Sequence, residues 1–166
     1  MNKTNQMKTY VITVSEYFPK THIRSGDKTG FPEKILSALE MDNLLVHKCF
    51  QKPPKKLHTV RANYALWKKR FEKIDRGDAC LSIRRWTGTP YRSKQEEIVR
   101  LTKKDGIGLQ ELVHPDCIIS ASIEGKQVDW SDVAKNDGLP FEDFCEWFNV
   151  RQKEPMAIIH FTKFRY

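Results

Sequence analysis

The sequence predicts an α+β domain built around a largely antiparallel sheet or barrel. Segments rich in β-branched and aromatic residues are scattered among short amphipathic segments, without the regular strand–helix alternation of a parallel sheet. A Rossmann fold is not expected, because no Gly-x-Gly-x-x-Gly follows a predicted strand, and the sequence contains no Walker-type phosphate loop. The 166 residues fit one domain, residues 1–166, which is long enough to bury a single core.

The first third of the chain predicts one strand, a loop and a short helix. Residues 9–14, Thr-Tyr-Val-Ile-Thr-Val, are β-branched and aromatic and predict the strand. Residues 20–32 contain glycine and proline and predict a loop, and apolar spacing predicts a helix from Pro32 to about Leu45. Two adjacent prolines within residues 51–55 predict a stiff connector.

The middle of the chain predicts a strand, a helix and a hairpin. His58–Arg61 has strand character, and Asn63–Asp75 predicts a helix with an N-capping asparagine and an apolar stripe. Cys80–Trp86 alternates apolar and polar residues, which predicts a half-buried strand. Residues 87–94 predict a Gly- and Pro-containing loop, after which residues 97–101 return as a second strand.

The last third predicts short elements separated by turns. A turn at 105–108 is expected to lead into a short helix over about Leu109–Val113, and residues 117–123 predict a strand. Two short helices are expected within about 129–149, where the second has apolar residues at helical spacing. Residues 156–162 predict the final strand.

The positive charge is concentrated in one block. Residues 52–104 contain 16 Lys/Arg against 5 Asp/Glu, a net of +11, whereas residues 105–166 contain 6 against 11, a net of −5. Such an uneven distribution of charge creates a directional electrostatic field, which predicts a polyanionic partner. The alternatives are a solvated basic face without a partner and a protein-interaction module that docks an acidic partner.

Metal, cofactor and membrane partners are not expected from this sequence. The four cysteines lie far apart without a Cys-x-x-Cys pair, so buried thiols are expected rather than a zinc site, and no cofactor is implied. His58 and His160 lie in predicted strands and are interpreted as structural histidines. The polar start of the sequence and the lack of an apolar run of about 20 residues predict a cytoplasmic protein.

Residues 56–61 contain a Lys-x-x-Thr-x-Arg pattern that could support chemistry. A lysine desolvated near other cations has a lowered pKa and can activate a hydroxyl, so Lys56 could activate Thr59 if the chain bends after the prolines. Glu97 on a neighbouring strand could orient this pair or transfer a proton. The structural alternative is a surface lysine, a strand threonine and an Arg61 in a salt bridge.

Together with the later strands at 97–99 and 157–161, residues 56–61 resemble the ASCH domain family, a branch of the PUA-like superfamily. The resemblance covers roughly residues 9–15 and 50–166. It implies a PUA-like small mixed β-barrel with flanking short helices and a cleft beneath residues 56–61. Family members are thought to bind RNA or modified nucleosides, and one branch hydrolyses the amide of acetylated cytidine with a Lys, a Thr and a Glu.

Carried over by motif match, these catalytic residues are Lys56, Thr59 and Glu97, with Glu96 as the neighbouring candidate. The one-residue choice matters because it moves the carboxylate to the other face of the sheet. The chain departs from the family pattern in two ways. Pro54 stands where the family motif usually has glycine. An insert at about 16–50 and added helices at about 129–149 lengthen the domain.

The predicted hairpin loop is a second candidate for nucleic-acid contact. Trp86 and Tyr91 offer flat faces for unstacked bases. Cations that could contact phosphates surround them: Arg61, Arg84, Arg85, Arg92 and Lys94. The structural alternative is a core Trp86 with Tyr91 packed on the loop.

The leading hypothesis from the sequence is therefore an ASCH/PUA-like domain that binds RNA or a nucleotide-like ligand in a basic cleft. The alternative is an amidohydrolase acting on a modified nucleoside such as acetylated cytidine.

Overall fold

The computed structural model describes residues 7–40, 54–113, 120–148 and 155–166. In chain order its elements are β1 (Lys8–Thr13), α1 (Phe31–Ala38), β2 (His58–Arg61), α2 (Tyr64–Asp75), β3 (Ala79–Trp86), β4 (Gln95–Leu101), a 3-10 turn (Lys103–Asp105), β5 (Gly108–Val113), β6 (Ser120–Ile123), β7 (Lys126–Asp129), α3 (Trp130–Asn136), α4 (Phe141–Trp147) and β8 (Met156–His160). The α+β class is confirmed.

The strands form two sheets. The first has the order β1-β3-β4, in which β1 runs parallel to β3 and β4 returns antiparallel to it. The second has the order β2-β8-β5-β6-β7 and is antiparallel throughout. Among the described residues the strands do not close into a barrel.

The core lies where both sheets meet helix α2. Its apolar stripe, Trp67, Phe71 and Ile74, is buried, and the helix packs against β3, β5 and β8. All five residues of β8 are buried, as expected for a strand at the interior of a sheet. The predicted N-cap is confirmed, because the side chain of Asn63 accepts a hydrogen bond from the Leu66 amide at 3.0 Å.

The predicted helix over Leu109–Val113 is wrong, because these residues belong to strand β5. The apolar spacing of Leu109, Leu112 and Val113 also fits a helix, but pairing with both β8 and β6 satisfies the backbone of this segment as a strand. Burial alternates accordingly, with Gln110 and Leu112 buried and their neighbours more exposed.

Strand β7 was not predicted from the sequence. Three of its four residues are polar. It is an edge strand that pairs with β6, to which the Glu124–Gly125 turn connects it. Several other predicted elements lie partly outside the described residues. These are the connector at 51–55 and the start of the strand at 117–123. The helix predicted over 32–45 ends earlier, at Ala38, because Leu39 caps it and Glu40 takes a positive φ of 54°, while residues 41–45 lie outside the described ranges.

None of the helices in the described ranges combines the length and apolar character needed to cross a membrane. In the same ranges no group of three or more His, Cys, Asp or Glu side chains could hold a metal ion. Of the cysteines, Cys80 is a buried thiol and Cys145 is a half-buried one, while Cys49 and Cys117 lie outside the described residues.

Candidate functional site

A small cleft lies at the start of strand β2. It has a volume of about 30 Å³, and its lining includes Lys56, Thr59, Arg61, Asp137, Phe31 and Trp147. The sequence-predicted residues Lys56, Thr59 and Arg61 therefore lie together. Strict strand alternation would place Lys56 and Thr59 on opposite faces. The strand begins only at His58, so Lys56 precedes it and is not bound by that alternation.

Lys56 is buried, and Asp137 accepts both of the hydrogen bonds that its ammonium forms with described residues. Its Nζ donates to Asp137 Oδ2 at 2.9 Å and to the Asp137 main-chain oxygen at 2.6 Å, and it lies 4.1 Å from the centre of the Phe31 ring. Burial lowers the pKa of Lys56 to about 8, although the Asp137 carboxylate acts in the opposite direction. Lys56 therefore changes between its charged and its neutral form near pH 8.

Asp137 is placed by the end of helix α3. Its amide donates to the Val133 oxygen at 2.9 Å, and Gly138 then takes a positive φ of 82° that turns the chain away from the helix. A Cβ at Gly138 would lie 3.1 Å from the Cβ of Lys56, so a residue without a side chain suits this close approach. Burial would raise the pKa of Asp137, but Lys56 and His58 together hold it below its ordinary value.

His58 contacts the other oxygen of Asp137. Its Nδ1 lies 3.6 Å from Asp137 Oδ1, and its Nε2 lies 2.7 Å from the hydroxyl of Tyr166. The side-chain amide of Asn136 donates to that hydroxyl at 3.1 Å. Burial lowers the pKa of His58, which keeps the imidazole neutral. Hydrogen bonds therefore join Lys56 to Asp137 and join His58, Tyr166 and Asn136, and the two groups face each other across the 3.6 Å between Asp137 Oδ1 and His58 Nδ1.

Thr59 and Arg61 complete the cleft. Thr59 is buried, and its hydroxyl makes no hydrogen bond to any other described residue. Arg61 donates from Nη2 to the Thr13 oxygen at 2.6 Å and ties the cleft to the end of β1. Arg61 thus has a structural contact in place of the salt bridge suggested by the sequence.

The structure does not bring Glu97 to this cleft. Glu97 lies on β4, where its carboxylate accepts hydrogen bonds from the Ser82 hydroxyl and from Arg100, with 2.8 Å to Arg100 Nη2. Glu96 pairs instead with Arg85 at 2.8 Å. Among the described residues, the carboxylate that lines the cleft is Asp137, which the sequence analysis does not single out as a site residue.

A larger groove adjoins the cleft. It has a volume of about 440 Å³ and shares Val14 and Ser15 with the cleft. One wall is the end of β1 and the chain that follows it, residues 13–20, and the other is the β3–β4 hairpin with Trp86 and Tyr91. The segment predicted as an insert at about 16–50 thus contributes to both cavities, because residues 16–20 line the groove and Phe31 lines the cleft.

The two hairpin aromatics differ in exposure. Trp86 is half-buried, whereas Tyr91 is 89% exposed, and their ring centres are 5.3 Å apart. Tyr91 also has a positive φ of 63°, which is uncommon for a residue with a large side chain. Trp86 is therefore not a core residue, and both rings border the groove.

The predicted phosphate-contacting cations divide into two groups. Arg84 donates to Ser82 Oγ at 2.9 Å, and Arg85 pairs with Glu96 and, at 3.7 Å, with Glu16. Arg92 and Lys94 are exposed and form no ion pair with any described residue. These two cations on the hairpin can take an anionic partner without breaking an existing contact.

Comparison with known proteins gives no match for this chain among family models, curated proteins or solved structures. The resemblance to the ASCH family stays a prediction.

Proposed function

We propose that the groove and cleft bind RNA or a nucleotide-like ligand, within a domain of the PUA-like ASCH type. The observation that carries this proposal is the groove itself, which places Trp86 and Tyr91 beside a polar cleft. Its volume of about 440 Å³ lies in the range of about 300–1,000 Å³ that is usual for ligand sites. Stacking on an aromatic side chain contributes about 1–3 kcal/mol per base.

The two cavities suit different parts of such a ligand. The cleft has a volume of about 30 Å³, which is room for about two water molecules. A base or a sugar therefore belongs in the groove, and only a small substituent reaches Lys56 and Thr59. Arg92 and Lys94 are exposed on the hairpin, and we expect them to contact phosphate groups.

Fluorescence anisotropy with a labelled single-stranded RNA oligonucleotide tests this proposal. Trp86→Ala and Tyr91→Ala should each weaken binding by about 5- to 150-fold, the equivalent of losing one stacked base. Phe141→Ala is a suitable control, because Phe141 is 37% exposed but does not line the groove. Equal affinities for the wild type and all three variants would contradict the proposal.

Salt dependence gives a second measurement of the same complex. Arg92→Ala or Lys94→Ala should each reduce the slope of log K against log[salt] by about 0.7, the value for one phosphate contact on a single strand. Lys69→Ala on the exposed side of α2 should leave the slope unchanged. A slope near zero for the wild type would mean that phosphates are not contacted.

Amide hydrolysis is a second candidate, and it is favoured because the buried Lys56 and the unbonded hydroxyl of Thr59 line the same cleft. With a pKa of about 8, about a tenth of Lys56 is neutral at pH 7 and able to accept a proton. Lys56 would take the proton of Thr59 as Thr59 Oγ attacks the amide carbon, and would return it to the leaving amine. Water then hydrolyses the acyl–Thr59 ester and regenerates the hydroxyl.

Turnover of acetylated cytidine tests this second candidate. Thr59→Val retains the shape of the side chain without the hydroxyl and should abolish deacetylation, whereas Thr59→Ser should retain part of it. Retention of the full rate by Thr59→Val would exclude Thr59 as the nucleophile. Absence of turnover by the folded wild type would remove acetylated cytidine as a substrate and leave binding as the function.

A further inference from the structure

We propose that Asp137, rather than Glu97, is the carboxylate that positions Lys56, and that Tyr166 orients the ring of His58 toward the second oxygen of Asp137. Asp137 is a positioning residue, since it acts through Lys56 and would not itself contact a ligand's reacting atoms. The proposal deepens the hydrolytic candidate above and rests on it for any effect on rate. The placement of the Lys56 ammonium can be tested without a substrate.

Asp137 holds the ammonium at two points. The Lys56 Nζ donates to both the carboxylate and the main-chain oxygen of the same residue, at 2.9 and 2.6 Å. The Phe31 ring, 4.1 Å away, provides a third favourable contact for the positive charge. A long lysine side chain is otherwise free to adopt many rotamers, so these contacts set where its nitrogen lies in the cleft.

The hydrogen bonds of Tyr166 determine which ring nitrogen of His58 carries the hydrogen. The Tyr166 hydroxyl accepts from the Asn136 amide at 3.1 Å, so its own hydrogen is available to His58 Nε2 at 2.7 Å. The hydrogen of the neutral imidazole then resides on Nδ1, which faces Asp137 Oδ1 at 3.6 Å. This separation is longer than a hydrogen bond, and neither atom has a hydrogen-bond partner among the described residues. His58 therefore faces one oxygen of Asp137, while Lys56 binds the other.

The charges around Lys56 oppose one another, and Asp137 alone among them favours the ammonium. Burial and the neighbouring cations Arg61 and Lys34 lower the pKa of Lys56, whereas the Asp137 carboxylate raises it. His58 is neutral because burial lowers its pKa. When Lys56 accepts the proton of Thr59, Asp137 stabilises the ammonium that forms.

The first experiment measures the Lys56 pKa directly by NMR titration of the lysine-labelled protein, with Lys56→Arg to assign the signal. Asp137→Asn should lower this pKa by about 1–3 pH units, as expected for loss of an adjacent opposite charge. Asp143→Asn is the matched control, because Asp143 is also a buried carboxylate in an ion pair, with Arg24 at 2.7 Å, but does not line the cleft. An unchanged pKa in Asp137→Asn, or equal changes in both variants, overturns the proposal.

The second experiment needs no variant of Asp137, which guards against a failure of that variant to fold. The ring nitrogen shifts of His58 in the wild type report its tautomer, and we expect the hydrogen on Nδ1. Tyr166→Phe should convert His58 to a mixture of tautomers. A wild type with the hydrogen on Nε2 would contradict the role assigned to Tyr166 and His58.

Turnover separates this proposal from the hydrolytic candidate. If acetylated cytidine is hydrolysed, the pH–rate profile should rise through a pKa of about 8 in the wild type and through a lower pKa in Asp137→Asn. If nothing is hydrolysed but the Lys56 pKa falls in Asp137→Asn, the hydrolytic candidate fails while the positioning of Lys56 by Asp137 stands.

Discussion

Burial of Lys56 makes the stability of the protein depend on pH in a defined window. The pKa of Lys56 is 10.5 in the unfolded chain and about 8 in the folded one. Between these values the unfolded chain binds a proton that the folded protein does not, so the free energy of unfolding rises with pH. At about 1.36 kcal/mol per pH unit the full effect is about 3 kcal/mol, absent below pH 8 and complete above pH 10.5.

Urea denaturation followed by tryptophan fluorescence between pH 7 and pH 10 measures this dependence. The double variant Lys56→Met/Asp137→Asn removes both buried charges, so its unfolding free energy should lack the increase between pH 8 and pH 10 that the wild type shows. Lys69→Met, at an exposed position, should keep the wild-type increase. The reasoning is refuted if the wild type and the double variant have parallel curves.

Three further variants test single contacts of the site. Gly138→Ala should destabilise the protein more than Gly125→Ala in urea denaturation. Both glycines have a positive φ, so alanine at either position costs about 1–2 kcal/mol of backbone strain. Only at Gly138 would the added methyl group also meet Lys56, and equal losses of stability in the two variants would contradict this. Phe31→Leu should lower the pKa of Lys56 and cost about 0.5–2 kcal/mol through loss of the ring beneath its ammonium; an unchanged NMR titration would argue against this contact. Glu97→Gln should leave the Lys56 titration and any turnover unchanged and cost at most about 1 kcal/mol; a large loss of activity would return Glu97 to the site.

Local patterns in the sequence are sufficient to predict most elements that frame the site. The β-branched run of β1, the capped helix after Asn63 and the hairpin around Trp86 all follow from residue type and spacing within a few positions. Strand β5 was missed because its apolar spacing also suits a helix, and the choice depends on β8, which lies about 45 residues later in the chain. Such pairing partners leave no signal within the strand itself.

The candidate site could be predicted only in part for the same reason. Lys56, Thr59 and Arg61 are close in sequence, so a motif of six residues identifies them together. Asp137 is brought to Lys56 by the end of a helix some 80 residues later, and an Asp-Gly pair there is equally typical of an ordinary helix end. The structure adds a second reason for glycine besides its positive φ, which is the close approach of Lys56 to Gly138.

We propose that the groove and the cleft receive parts of one nucleotide-like ligand. The four tryptophans provide a direct test by NMR of their indole N–H groups during titration with a cytidine oligonucleotide. Trp86 lines the groove and Trp147 lines the cleft, whereas Trp67 and Trp130 are buried in the core. We predict saturable shifts for Trp86 and Trp147 with the same dissociation constant and none for the two core indoles. Shifts of all four signals, or of neither Trp86 nor Trp147, would contradict the account.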